Sequence, residues 1–370
     1  MAKIGRKNNI KLILLIALVI CTLLLINAFF FLLPVLHKST LIYDSDSDGI
    51  RNFYLEEQDS LDGLFVGPSS VYRYWFPPHA YEKTGMAVYA LSCNNMPVSA
   101  MEHVLKDAVK RQSSIKFVAM DLRNISKVDD GIKSRYMKRM TDVMPWSIDR
   151  TAAIDDYLDY CEQMDTNHVD FSHKNYYFPF VRDRGAWLED VSKDDLLHYL
   201  KNDLNLTIKG CNPYIPYIYN EPFTKHVEEI ELRDCQIDVL NSLFSYCHEL
   251  EADGISVIFT FAPFDRGGEK SAYLHEAAKL CEDNGFTVLD FNNEPYINEI
   301  DFDYSKDFYD NRHASYTGGV KYTEYMTEYF DSRFDLPGHR GDSDYDSWDE
   351  SVRQLEQRVK SERIKYGIEE

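Results

Sequence analysis

The first long hydrophobic run of the chain extends from Leu12 to Leu36 and contains no charged side chain. A helix of this length can cross the hydrocarbon core of a bilayer with some tilt. A cleaved signal peptide is the alternative, but its apolar region is shorter and ends at a small-residue cleavage site. This run ends instead in three phenylalanines, two leucines and a proline. The pattern therefore predicts an uncleaved transmembrane anchor over residues 12–36.

The segment before this run, residues 1–11, carries four basic side chains and no acid. Basic residues beside a membrane helix remain in the cytoplasm. We therefore expect a cytoplasmic N-terminus in the cell membrane, attachment through one helix, and an extracytoplasmic location for everything after the anchor.

Beyond residue 59, short apolar runs alternate with segments whose apolar residues recur every three or four positions. The runs predict buried strands at Leu64–Gly67, Met86–Leu91, Ile115–Met120, Ile255–Phe261 and Phe286–Phe291. The periodic segments predict helices that begin at Pro97, cover Ile237–Leu250 and Leu274–Cys281, and carry Tyr322, Tyr325, Met326, Tyr329 and Phe330. Continuous apolar strands separated by helices are typical of sheets covered on both faces. We predict a three-layer α/β fold, flavodoxin-like, with a mostly parallel sheet and its site at the carboxyl ends of the strands.

The predicted domain boundaries follow the same pattern. A polar linker covers 37–59, the α/β domain 60–335, and a charged tail 336–370, which is helical from Trp348 and docks on the domain or on a partner. The alternation breaks between about 125 and 226, which we interpret as an insertion packed over one end of the sheet. This stretch is rich in aromatic residues, which need burial or a ligand: Tyr176, Tyr177, Phe178, Phe180, Trp187, Tyr214, Tyr217 and Tyr219.

The chain carries a net charge of −21, and its exported part is more acidic still because four of the basic residues precede the anchor. Such a surface repels nucleic acid, so no nucleic-acid partner is expected. Neither the cysteines nor the scattered histidines have the paired spacing of a metal site, and no glycine-rich phosphate loop is visible. We expect no metal and no cofactor. We also expect buried free thiols, although an exported domain could oxidise one pair: Cys93, Cys161, Cys211, Cys235, Cys247 and Cys281.

The first candidate for chemistry is a serine that directly follows the first predicted strand. In Gly67-Pro68-Ser69-Ser70, a serine at a strand-to-helix turn would have an exposed hydroxyl, and its own amide could bind an oxyanion. The same four residues are also ordinary turn chemistry. Ser70 is the alternative nucleophile if the turn is shifted by one residue.

The second candidate lies between the last predicted strand and the last helix of the domain. Asp310 and His313 are three residues apart, so the carboxylate can hold the imidazole in one tautomer and stabilise its cation. A solvated loop histidine is the simpler alternative. If the sheet is parallel, however, this loop and Ser69 emerge at the same edge. Together the three residues then form a workable Ser-His-Asp arrangement.

These two segments carry a family resemblance. The residues from Phe65 to Tyr72 resemble the first block of SGNH/GDSL-type hydrolases, and Asp310-x-x-His313 resembles their closing block. The layout over most of 60–332 is similar to membrane-anchored SGNH-like proteins of bacterial envelopes, some of which work beside membrane-bound O-acyltransferases. The resemblance implies Ser69 as nucleophile, His313 as base and Asp310 as orienting acid.

The chain departs from the family pattern at the oxyanion hole. Pro68 stands where the first block has Asp, and Ser92 stands where the second block has the glycine whose amide lines the hole. No Gly-x-Asn-Asp block is present, and Asn94 and Asn124 are the candidate substitutes for its asparagine.

The resemblance implies an esterase or O-acyltransferase that acts on an acylated glycan or other envelope polymer. Water as the acceptor of the acyl group gives hydrolysis, and a sugar hydroxyl gives transfer. Two alternatives remain. One is a catalytically inactive, carbohydrate-binding or accessory ectodomain that partners a membrane-bound O-acyltransferase, and the other is a scaffold for a membrane partner.

Overall fold

The computed structural model describes residues 2–32, 45–128, 131–182, 208–216, 230–264 and 269–368. At its centre is a sheet of five strands in the order β2-β1-β3-β4-β5, all parallel. This strand order is that of flavodoxin-like doubly wound sheets. The strands are β1 (Gly63–Gly67), β2 (Val88–Ser92), β3 (Phe117–Asp121), β4 (Ser256–Phe261) and β5 (Thr287–Asp290).

Helices connect the strands and flank them. Each predicted strand is confirmed to within two residues at either end. The helix predicted to begin at Pro97 is also confirmed, and it begins with a 3-10 turn at Val98. The α-helices are α1 (Ala2–Leu32), α2 (Ser45–Phe53), α3 (Ser69–Tyr74), α4 (Pro77–Thr84), α5 (Met101–Arg111), α6 (Ser134–Thr141), α7 (Ile148–Gln163), α8 (Lys174–Tyr177), α9 (Pro179–Arg182), α10 (Asp234–Ala252), α11 (Glu269–Asp283), α12 (Tyr296–Glu299), α13 (Tyr316–Arg333) and α14 (Asp346–Tyr366). Short 3-10 helices cover Val98–Ala100, Arg123–Ser126 and Ser343–Tyr345.

The sheet is buried on both faces. Alternate residues of a strand point to opposite faces, so Leu64 and Val66 of β1 enter one hydrophobic core and Phe65 enters the other. The first core includes side chains of α5, α7 and α10, and the second includes those of α3 and α13. In the second core, the Phe330 ring centroid lies 4.4 Å from that of Phe117. Truncating such a buried phenylalanine typically costs about 3–5 kcal/mol of unfolding free energy. The three-layer α/β architecture is therefore confirmed.

The predicted linker over 37–59 differs from the structure in its second half. Residues 45–53 form α2, in which Ile50 and Phe53 are almost completely buried. The hydroxyl of Tyr89 in β2 donates to the Gly49 carbonyl oxygen at 3.0 Å. The polar run of Ser and Asp suggested a linker. The segment forms a helix because two of its apolar side chains are buried in the core. Residues 37–44 lie outside the described part.

The described part of the aromatic-rich stretch contributes to the first core. Its helix α7 packs along α5, and Tyr157 and Tyr176 are fully buried. Trp187, Tyr217 and Tyr219 lie outside the described residues. The six cysteines beyond α1 are buried and none of them is in a disulfide, as predicted.

The C-terminal helix docks on the domain. Its Trp348 is buried against Tyr81 of α4, with ring centroids 5.5 Å apart, and Lys209 lies over the Trp348 ring at 4.7 Å. The predicted apolar seam is confirmed for Leu355 and Val359, which are buried.

The N-terminal helix α1 covers 31 residues. Over the parts of the chain that the structure describes, no helix combines the length and apolar character needed to cross a membrane.

Candidate active site

Ser69 lies at the turn between β1 and α3. The strand ends at Gly67, Pro68 caps the helix, and Ser69 is its first residue. Gly67 has φ +156°, and a Cβ there would lie 2.9 Å from the carbonyl oxygen of Asp121 in the neighbouring strand. The turn therefore requires glycine. Ser69 is partly exposed, whereas Ser70 is buried and its hydroxyl has no hydrogen-bond partner among the described residues.

His313 lies directly opposite Ser69. The Oγ of Ser69 is 2.8 Å from Nε2 of His313. The other ring nitrogen, Nδ1, is 2.9 Å from Oδ2 and 3.0 Å from Oδ1 of Asp310. Because an ionised carboxylate only accepts hydrogen bonds, Nδ1 carries the proton and Nε2 is left as the acceptor. The arrangement therefore allows the imidazole to take the Ser69 proton.

The loop of Asp310 is shaped by its own carboxylate. Asp310 Oδ1 accepts hydrogen bonds from the backbone amides of Arg312 at 2.7 Å and His313 at 2.9 Å. Such bonds between an aspartate and the amides that follow it stabilise a tight turn. The sequence spacing of Asp310 and His313 thus fixes both the turn and the contact between their side chains.

The side chains of Tyr309 and Arg123 also support this loop. The ring of Tyr309 stacks on that of His313, with centroids 5.5 Å apart and planes at 9°. Arg123, which follows β3, donates from Nη1 to the carbonyl oxygen of Arg312 and from Nη2 to that of Ala262 at 3.0 Å. Arg123 therefore connects the histidine loop to the residue that follows β4.

Burial and charge adjust both ionisable groups. Burial is the main cause that lowers the pKa of His313 below its usual value, with smaller contributions from the cations of Arg123 and Arg73. The hydrogen bond and the charge of Asp310 oppose this shift. For Asp310, burial raises the pKa, but the hydrogen bonds and charge of His313 outweigh it, so its pKa is lowered. Near neutral pH the imidazole is therefore an unprotonated base beside an ionised carboxylate.

A cavity of about 250 Å³ opens in front of Ser69 and His313. It lies at the carboxyl edge of the sheet, where the loops after β1, β2, β3 and β4 meet. Its remaining described lining residues are Asn94, Asn95, Arg123, Asn124, Ser126, Lys127, Phe264, Leu274, Asn311 and Arg312. This is the position expected for the site of a doubly wound fold.

The candidate oxyanion residues fall into two groups. Asn94 and Asn124 line the cavity, together with Asn95, whose side-chain amide donates to Asn94 Oδ1 at 2.7 Å. The side-chain amide of Asn124 donates to the Met96 carbonyl oxygen at 2.8 Å. Ser92 is the last residue of β2, is 1% exposed, and is absent from the described lining of the cavity. The structure therefore brings Ser69, His313, Asp310, Asn94 and Asn124 together at the cavity. Ser92 is buried and does not contribute to the described lining.

Comparison with known families, curated proteins and solved structures finds no match to this chain. The chemical interpretation therefore rests on the geometry. A serine hydroxyl, an imidazole and a carboxylate in this order can activate the serine as a nucleophile. Among the described residues, no cluster of three or more His, Cys, Asp or Glu could hold a metal ion.

Sequence reasoning missed Arg123, Asn95, Lys127 and Tyr309. Arg123 could have been found, because it comes three residues after a predicted strand, at the edge where the site was expected. Asn95 has φ +58°, a left-handed conformation that asparagine tolerates, and nothing in the local pattern marks it. The stacking of Tyr309 on His313 depends on the loop geometry and left no signal in the sequence.

Proposed function

We propose that the protein is a serine ester hydrolase or O-acyltransferase of the SGNH type. The observation that carries the proposal is the 2.8 Å contact between Ser69 Oγ and His313 Nε2, with Nδ1 of the same ring on the Asp310 carboxylate. These two side chains are far apart in sequence but lie in contact. With its Nδ1 proton on Asp310, the His313 ring has Nε2 available to accept the proton of Ser69. A solvated loop histidine would not require this geometry.

In the proposed mechanism, His313 removes the hydroxyl proton as Ser69 attacks the ester carbonyl. The carbonyl π electrons move to oxygen and form a tetrahedral oxyanion. When the oxyanion collapses, the alcohol leaves with the proton held by His313, and the acyl group remains on Ser69. Water or a sugar hydroxyl then attacks the acyl-enzyme with His313 again as base. The second oxyanion collapses, the bond between Ser69 and the acyl group breaks, and Ser69 takes back the proton from His313. The first acceptor gives hydrolysis, and the second gives acyl transfer.

The amide groups around the cavity are the candidate donors to the oxyanion. The backbone amide of Ser69 is at the first position of α3, where helix amides have no intrahelical acceptor. Asn94, Asn95 and Asn124 line the same cavity. Removing one such donor typically slows a reaction by about 10²–10³-fold.

The proposed setting is the outer side of a bacterial cell membrane. It rests on the charge-free run Leu12–Leu36 and its basic flank, and on the leucine and isoleucine side chains of α1, which are exposed between Ile10 and Leu25. Residues 33–36 of this run lie outside the described part. The proposed substrate is an acylated envelope polysaccharide, and the proposed partner is a membrane-bound O-acyltransferase.

The activity is tested on the full-length chain in detergent with an aryl acetate and with acetylated oligosaccharides. We expect turnover that falls at least about 10³-fold in Ser69→Ala and in His313→Ala. Ser332→Ala is the matched control, because its hydroxyl is exposed and donates to the Tyr329 carbonyl oxygen. Acetyl transfer to an added oligosaccharide in competition with water distinguishes a transferase from a hydrolase. Turnover that survives Ser69→Ala unchanged contradicts the proposal.

A second candidate function is a catalytically inactive accessory ectodomain. It is favoured by the position of Ser92, which is buried outside the described cavity lining, and by the amide of Asn124, which already bonds Met96. If the protein has this accessory function, the wild-type protein and the Ser69→Ala variant bind glycan equally well, and neither of them releases acetate.

A further inference from the structure

The cavity in front of Ser69 differs in charge from the chain as a whole. The chain has 61 acidic and 40 basic residues. The described residues that line the cavity include Arg123, Lys127 and Arg312 but no aspartate or glutamate. Asp310 lies on the far side of His313 and bonds Nδ1 of the ring.

The three cations differ in exposure and in their contacts. Arg123 is 9% exposed, and its guanidinium bonds backbone carbonyl oxygens and lies over the rings of Tyr74 and Phe264, each at 5.5 Å. Lys127 lies with its ammonium 5.0 Å from the Tyr136 ring centre. Arg312 is exposed and also lines the cavity.

This distribution favours a negatively charged substrate over a neutral one. A strongly acidic surface repels anions over a distance of about 10 Å at 0.1 M salt. Cations concentrated in a cleft reverse the local potential and raise the local concentration of an anionic ligand. A charged group on the substrate can also form charge-assisted hydrogen bonds with Arg and Lys.

Resting on the proposed esterase or acyltransferase activity, we propose that the ester is carried on an anionic molecule, with a carboxylate or phosphate held by Lys127 and Arg312 beside Ser69. Arg123 contributes to the same positive field while it holds the histidine loop. The cations could instead act only on the oxyanion of the reaction, which every ester shares. The two explanations differ in their dependence on substrate charge.

The test compares two acetyl esters of nearly equal shape, para-acetoxybenzoate, which is anionic, and para-acetoxybenzamide, which is neutral. We expect kcat/KM of the full-length protein to favour the anionic ester and to lose this preference as salt is raised. In Lys127→Gln and in Arg312→Gln, the ratio of the two kcat/KM values falls by about tenfold, the scale of one charge-assisted hydrogen bond. Lys360→Gln, an exposed lysine on α14, is the control and keeps the ratio.

A second arm identifies the anion. Glucuronate and glycerol phosphate are added separately during labelling of Ser69 by a fluorophosphonate, with glucose and glycerol as neutral controls. Slower labelling with glucuronate supports a carboxylate, and slower labelling with glycerol phosphate supports a phosphate. Equal losses for both esters in the variants, or no slowing by either anion, overturn the inference. If the folded wild-type protein is not labelled by the fluorophosphonate at all, this result overturns the proposed function instead.

Discussion

The hydroxyl oxygen of Ser69 lies 2.8 Å from Nε2 of His313, although 244 residues separate them in the sequence. The parallel sheet accounts for this contact. Ser69 follows β1, and His313 lies between β5 and α13, so both loops emerge at the carboxyl edge. Arg123 then holds the histidine loop through the carbonyl oxygen of Arg312. The site is therefore built by the fold and not by a local motif.

Replacing Asp310 with asparagine tests the orienting role of its carboxylate. Asp310→Asn removes the charge that stabilises the imidazolium and permits the wrong tautomer of His313. The rate of aryl acetate hydrolysis should fall by about 10³–10⁴-fold. Asp301→Asn is the matched control, because Asp301 is exposed and has φ +49°, which asparagine tolerates. Equal rates for Asp310→Asn and the control would exclude Asp310 from the mechanism.

The pH dependence of the reaction tests the environment of His313. Burial lowers the pKa of His313 below its ordinary 6.5. The protonated ring cannot accept the Ser69 proton, so the rate is lost as pH falls through this pKa and reaches a plateau above it. We expect the midpoint of the rate profile below pH 6.5, with circular dichroism showing that the protein stays folded over the range. A midpoint well above 7 would show that the imidazolium is favoured, contrary to the burial seen here.

Gly67→Ala tests whether the serine turn depends on close backbone packing. A Cβ at this position would lie 2.8 Å from Cγ2 of Val71 and 2.9 Å from the Asp121 carbonyl oxygen. The clash should lower the free energy of unfolding by about 1–3 kcal/mol and displace Ser69 from His313. Chemical denaturation and hydrolysis rates measure the two effects. Gly131→Ala is the control, because the nearest atom of the described residues to its Cβ is at 3.8 Å, and a similar loss there would remove the argument for the turn.

Glu56→Ala tests a buried ion pair that helps to attach the C-terminal helix. Lys209 Nζ is 2.9 Å from Glu56 Oε2 and also donates to the hydroxyl of Ser347, in the first turn of α14, at 2.9 Å. Removing the carboxylate leaves a buried cation without its partner, which typically costs about 3–5 kcal/mol. The exposed pair of Glu350 and Arg353 provides the control, and Glu350→Ala should cost at most about 1 kcal/mol. Equal denaturation midpoints for the two variants would contradict this role of the pair.

The sheet could be predicted from the sequence because its strands are buried on both faces and form continuous apolar runs. Ser69, Asp310 and His313 could be identified because each directly follows a predictable element or has a fixed spacing. Ser92 was assigned to the oxyanion hole from its position in a family pattern. In the structure Ser92 is the last residue of β2 and is buried. The position of α2 could not be predicted, because it depends on tertiary contacts of Ile50 and Phe53, and most of the neighbouring residues are polar.

The most direct test of the central claim is labelling of the full-length protein with a fluorophosphonate probe, followed by mass spectrometry of the labelled peptide. The wild-type protein, Ser69→Ala, Ser70→Ala and His313→Ala are compared at neutral pH. We predict labelling at Ser69 that survives Ser70→Ala and is lost in both Ser69→Ala and His313→Ala. A folded wild-type protein that takes up no probe, or one labelled at Ser70, would contradict a nucleophile at Ser69.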